Sequence, residues 1–86
     1  MSYDLFFEKE VTKFLSKVEK ETASRIVNKI ELLKENPFSQ DAKRIVNTTQ
    51  KIYRIRVGKY RILYRIEDNI LVVVFLVDKR SKVYKK

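Results

Sequence analysis

The sequence contains no cysteine and no histidine. That removes zinc-finger ligand sets, thiol nucleophiles, Ser–His triads and histidine acid–base pairs in one step. No cofactor and no metal is expected. An 86-residue chain can nevertheless hold itself together, because a domain of that size buries roughly 60 to 65% of its unfolded surface. We expect one domain spanning residues 1–86. No basic region followed by an apolar run opens the chain, and no apolar stretch approaches the ~20 residues of a membrane span. The expected location is the cytoplasm, without a membrane partner. In that setting the sequon Asn47-Thr48-Thr49 is chance.

Acidic residues are scarce in one half of the chain. Residues 1–43 carry 8 Lys/Arg and 8 Asp/Glu, whereas residues 44–86 carry 12 and 3, so the whole net charge of +9 belongs to the carboxyl half. Such asymmetry is the footprint of a polyanion partner, nucleic acid being the commonest, set against the plainer reading of a basic solvated surface.

The single glycine, Gly58, sits inside that half between two alternating runs, Tyr53-Arg54-Ile55-Arg56-Val57 and Tyr60-Arg61-Ile62-Leu63-Tyr64. Alternation is the period of a strand, and a glycine followed by Lys59 suits a two-residue II′ turn. The hairpin then pairs Val57 with Tyr60, Arg56 with Arg61 and Ile55 with Ile62. Arg54, Arg56, Arg61 and Arg65 fall on one face. Tyr53, Tyr60 and Tyr64 fall on the other with the isoleucines and read as core. Arginines placed directly opposite each other repel, so the row is expected to face an anion.

Ahead of the hairpin, Tyr3 to Phe7 suits an opening strand. Val11, Phe14, Leu15 and Val18 recur at helical spacing. After a break near residues 20–22, with Thr22 as N-cap, so do Ala23, Ile26, Val27, Ile30 and Leu33. Asn36-Pro37 stops the second helix. The two helices are expected to form an antiparallel pair. The stretch from Phe38 to Lys51 reads as a loop with a helical turn near residues 41–45. After the hairpin, a tight turn at Asp68-Asn69 leads to a third strand, Ile70 to Val77, apolar without alternation. If that turn sets the register, Arg65 faces Val72, Leu63 faces Val74 and Arg61 faces Leu76. An apolar patch rimmed by positive charge would then lie on the arginine face, suited to an acidic partner segment. The order of elements gives an α+β fold: a leading strand, a helix pair and a three-stranded antiparallel meander.

The run Y-R-I-R-V-G-K-Y-R-I-L-Y-R-I, followed by an apolar strand and K-R-S-K-V-Y, resembles the RelE/ParE toxin superfamily, in particular its RelE-type members. The resemblance covers nearly the whole chain. Its most specific part is R-x-G-x-Y-R-x-x-Y across Arg56, Gly58, Tyr60, Arg61 and Tyr64. It implies a microbial-RNase-like fold and a toxin of a type II toxin–antitoxin pair that cuts mRNA in the ribosomal A site without metal. Its implied partners are the ribosome, its mRNA and a RelB-type antitoxin, in an assembly that could be a heterotetramer. The catalytic positions it implies are Arg54, Arg56, Arg61, Arg80 and Tyr84. Arg65, Lys59, Lys79, Lys82 and Lys85 would add RNA or ribosome contacts. Where relatives carry lysine, Arg54 and Arg56 stand here, and a guanidinium is a poor general base. Tyr84, whose phenol basic neighbours could acidify, is therefore the candidate base or a platform for a stacked nucleobase. Two other functions share these features: a ParE-type gyrase inhibitor and a non-catalytic RNA-binding module.

Overall fold

The computed structural model describes residues 3–38, 42–45 and 51–79. In chain order they form β1 (Asp4–Phe7), α1 (Lys9–Lys17), α2 (Lys20–Glu31) with a 3₁₀ turn at Leu32–Lys34, β2 (Lys43–Arg44), β3 (Ile52–Val57), β4 (Tyr60–Glu67) and β5 (Leu71–Lys79). The five strands make one sheet in the order β1-β5-β4-β3-β2. β1 lies parallel to β5, and the other neighbours are antiparallel. This is the expected α+β architecture, with two additions that sequence periodicity does not carry. The leading strand docks against the last one, and the expected helical turn near residues 41–45 is replaced at Lys43–Arg44 by a two-residue strand pairing with Arg54 and Tyr53.

The helices follow their apolar stripes. Val11 from α1, and Ile26 and Ile30 from α2 with Leu33 just beyond it, pack with Ile55, Ile62, Tyr64, Val72, Val74 and Val77 of the sheet into one buried cluster. The break between the helices falls at Val18–Glu19, earlier than expected, and Glu19 rather than Thr22 precedes the first helical residue, without a side-chain cap. Pro37 is buried where the chain leaves the helices, and its carbonyl accepts a hydrogen bond from the buried Tyr64 hydroxyl. Tyr64 also stacks on Tyr53 at 5.7 Å with an 18° interplanar angle. The tyrosines of the hairpin are thus structural, as their face implied.

The β3–β4 ladder runs as expected, from Val57↔Tyr60 to Ile52↔Arg65. Gly58 takes φ +56°, the left-handed conformation a first turn residue needs there and that a side chain would strain. The β4–β5 ladder differs from expectation by one residue. Asp68 and Asn69 do take positive φ, 54° and 59°. Ile70, however, stays in the loop with its carbonyl accepting from the Asp4 N–H of β1 at 2.7 Å, and Glu67 pairs with Leu71. Val72 and Val74 therefore turn toward the helices and are fully buried. The extended arginine-side patch is not formed. A bulge follows: Tyr64 pairs with Val74 but Leu63 with Leu76, leaving Phe75 as the extra residue. This returns Leu76 to the arginine face, where it is 37% exposed, and keeps Val77 in the core.

Candidate functional site

The sheet face away from the helices carries the basic residues in rows, because facing residues on neighbouring strands put their Cβ atoms about 4.5 to 5.5 Å apart. One row crosses β3, β4 and β5 as Arg56, Arg61 and Asp78. The next crosses β2 to β5 as Lys43, Arg54, Leu63 and Leu76. Arg56 is exposed, and Arg54 and Arg61 are half-buried. The Nε of Arg61 is buried without a hydrogen-bond partner. An unsatisfied guanidinium N–H of this kind costs free energy until an acceptor arrives. Beside Arg56, whose like charge repels it, Arg61 gains from any anionic oxygen that settles between the two forks.

Arg65 shares this face but is already engaged. Its Nε donates to Glu67 Oε2 at 2.7 Å, its Nη2 reaches Glu8 Oε2 at 3.3 Å, and its guanidinium lies 5.7 Å from the centre of the Phe75 ring. The hydrogen bond to Glu67, followed by that to Glu8, raises its pKa above the usual guanidinium value against the opposing effect of burial. Arg65 thereby ties β4 across β5 to the residue that opens α1. Lys59 stands at the exposed hairpin tip. Lys79 pairs with Tyr60 and lines a cleft on the helix side of that tip. Arg80, Lys82, Tyr84 and Lys85 lie outside the described residues. The structure thus brings together Arg54, Arg56 and Arg61, with Arg65 beside them but tied to carboxylates.

Lys43 was missed from sequence. It faces Arg54 across the β2–β3 pair, and a Lys-Arg dipeptide in a polar stretch gives no period from which a strand could be inferred. Among the described residues no group of three or more Asp or Glu side chains could hold a metal ion, and no helix is long and apolar enough to cross a membrane. What the row can do is neutralise and orient a phosphodiester, since planar guanidinium forks bind phosphate oxygens bidentately.

Comparison with known proteins places this geometry. The model of the ParE toxin of the parDE type II toxin–antitoxin system matches residues 5–84, and the chain belongs to that family of toxins. Within the wider RelE/ParE superfamily it is of RelE type. It is 28% identical over 89 residues to the candidate toxin RelE1 of Methanocaldococcus jannaschii, covering 99% of this chain and 98% of that one. Among solved structures, it superposes on the archaeal RelE–RelB complex of Pyrococcus horikoshii with a TM-score of 0.82 at 23% identity, covering 95% and 99% of the two chains. It matches the RelBE2 toxin–antitoxin complex of Mycobacterium tuberculosis with a TM-score of 0.79 at 27% identity, covering 93% and 100%. The chain is the toxin of a RelBE-like type II toxin–antitoxin system.

Proposed function

We propose that this toxin is a metal-free endoribonuclease that cuts mRNA in the ribosomal A site. The observation that carries the reading is the Arg56–Arg61 pair, directly opposed on the sheet face away from the helices, with a buried, unpartnered N–H on Arg61. In the proposed reaction the 2′-oxygen attacks the adjacent phosphorus, the P–O2′ bond forms and the P–O5′ bond breaks. The 2′ proton leaves to a base, and the departing 5′-oxygen gains a proton. Arg54, Arg56, Arg61 and Arg80 neutralise the crowded phosphorane. They supply charge rather than proton transfer, which leaves Tyr84 as base or stacking platform and makes the bent substrate of the ribosome a requirement. Lys59, Arg65, Lys79, Lys82 and Lys85 would add RNA or ribosome contacts. In the cytoplasm a RelB-type antitoxin with acidic flanks silences the toxin by covering the arginine row, anchored on the exposed Leu76. The description of the family, a ParE toxin, keeps gyrase inhibition as the second reading.

In vitro translation of an end-labelled mRNA separates the two. Cuts in translated message, lost on Arg61→Ala by on the order of 10²- to 10³-fold with the fold intact, are the expected result. Gyrase-dependent DNA breaks with intact message would replace the nuclease reading by the second. Full cleavage by the Arg61→Ala protein would refute the site.

A further inference from the structure

A second concentration of basic residues lies apart from the arginine row. Between the α1–α2 link and the tip of the β3–β4 hairpin lies a cleft of about 720 Å³, into which Lys17, Arg25, Lys59 and Lys79 converge against a single carboxylate, Glu19. All four are exposed, and none forms an ion pair among the described residues. Gly58 forms part of the floor, and a Cβ at that position would meet Arg25 Nη2 at 3.5 Å. The first turn of α2 adds the positive end of its dipole from the same side, through Glu19 and Thr22. Four unpaired cations around one concavity repel one another, and an anion seated among them removes that repulsion.

The cleft is also continuous with the sheet face. A second hollow, of about 520 Å³, shares Arg25 and Val57 with it and runs past Asn28 and Lys29 to Arg56. It runs beside the end of β3 that lies beyond its pairing with β2, where among the described residues Ile55 to Val57 have no strand neighbour on that side. A line of cations thus leads from the hairpin tip, around that end of β3, to the first arginine of the row. A single small ion would fill one end of such a line. A chain of regularly spaced phosphates meets several of these cations in turn.

We infer that the cleft and the groove leading from it bind the sugar–phosphate backbone of a single RNA strand, as a second site on the helix side of the sheet. It contacts backbone rather than bases, so it carries no sequence preference. Binding here stands whether or not the arginine row cuts RNA.

The test is binding rather than cleavage. A fluorescent 2′-O-methyl RNA of about 12 nucleotides, long enough to span both hollows and uncuttable because its 2′-oxygen is blocked, is titrated onto the full chain between about 50 and 200 mM salt. The double variant Lys17→Gln/Lys59→Gln should bind about 10-fold more weakly and lose roughly 1.4 from the log–log salt slope, about 0.7 for each phosphate contact on a single strand. Lys34→Gln, whose lysine already pairs with Glu31, should match the unaltered chain. The amides of Thr22, Gly58 and Lys59 should shift on binding. Three results would each overturn the inference: wild-type affinity and slope in the double variant; amide shifts confined to Arg54, Arg56 and Arg61; or displacement of the RNA by inorganic phosphate beyond what its ionic strength explains, which would mark a single-ion pocket. Cleavage assays play no part, so failure of the nuclease reading leaves this result interpretable.

Discussion

Replacing Tyr64 by phenylalanine isolates one hydroxyl. Its ring is fully buried, and the O–H donates to the carbonyl of Pro37, itself buried at the exit of the helices. Phenylalanine keeps the stack on Tyr53 at 5.7 Å, so the aromatic contribution survives and the loss is confined to the hydrogen bond. A buried carbonyl left without its donor costs about 1 to 3 kcal/mol. Since m for a small domain in urea is about 1 to 3 kcal/mol per molar, the midpoint near neutral pH should fall by roughly 1 M. The same variant has a pH signature. Burial, reinforced by the neighbouring Tyr53, raises the Tyr64 phenol well above its ordinary value. In the unfolded chain the phenol ionises near pH 10. Above that point the unfolded state sheds a proton that the folded state keeps, so stability present at lower pH is lost as pH climbs toward the folded value. One unit above the ordinary phenol pKa the unaltered protein should have lost about 1.4 kcal/mol through this group. Tyr64→Phe loses nothing through it. The difference between the two proteins in urea melts at constant ionic strength should therefore shrink by that amount. A difference independent of pH, or equal midpoints near neutrality, would refute the account of Tyr64 as a buried, neutral donor.

The other expectations concern which face a side chain occupies. Ile30→Ala opens a cavity in the helix–sheet core and should cost about 2 to 5 kcal/mol, while Arg56→Ala relieves repulsion with Arg61 and should be neutral or slightly stabilising; equal urea midpoints would contradict the faces. Val74→Lys should leave the chain unfolded by circular dichroism, because its side chain is enclosed. Leu76→Lys, two residues on but across the bulge, should fold and weaken capture by the antitoxin. Glu8→Gln removes one arm of the Arg65 pair and should cost about 0.5 to 1 kcal/mol at low ionic strength, with the gap to the unaltered protein closing as salt is added.

How far the sequence foretold this molecule depended on whether a local signal existed. The β3–β4 hairpin was legible to the residue, because strict alternation and a lone glycine leave one sensible register, and so the opposition of Arg56 and Arg61 was legible too. The β4–β5 register was not. Val72-Val73-Val74-Phe75-Leu76-Val77 has no alternation to count, and the ladder is set by a distant event, the Asp4 N–H taking the carbonyl of Ile70. Phe75 then shifts the phase again. Likewise Arg65 looked like a fourth member of the row until Glu8, which precedes α1, was brought beside it by the pairing of β1 with β5. The basic cleft at the hairpin tip joins α1, α2 and three strands, and no spacing along the chain encodes it.

The docking of β1 on β5 also governs when the molecule can come into being. Among the described strands, the first to leave a ribosome, β1, has as its sheet neighbour the last, β5, with Asp4 against Leu71. Closing so long a loop is slow, because its entropy must be spent before the contact returns anything. Until β5 emerges, the stripes of α1 and α2 lack Val72, Val74 and Val77 to pack against. The β3–β4 hairpin can form alone, but nothing then holds its arginines against a rigid floor. A chain built in this order remains incomplete, and aggregation-prone, until β5 has been made. Its assembly waits on that one strand.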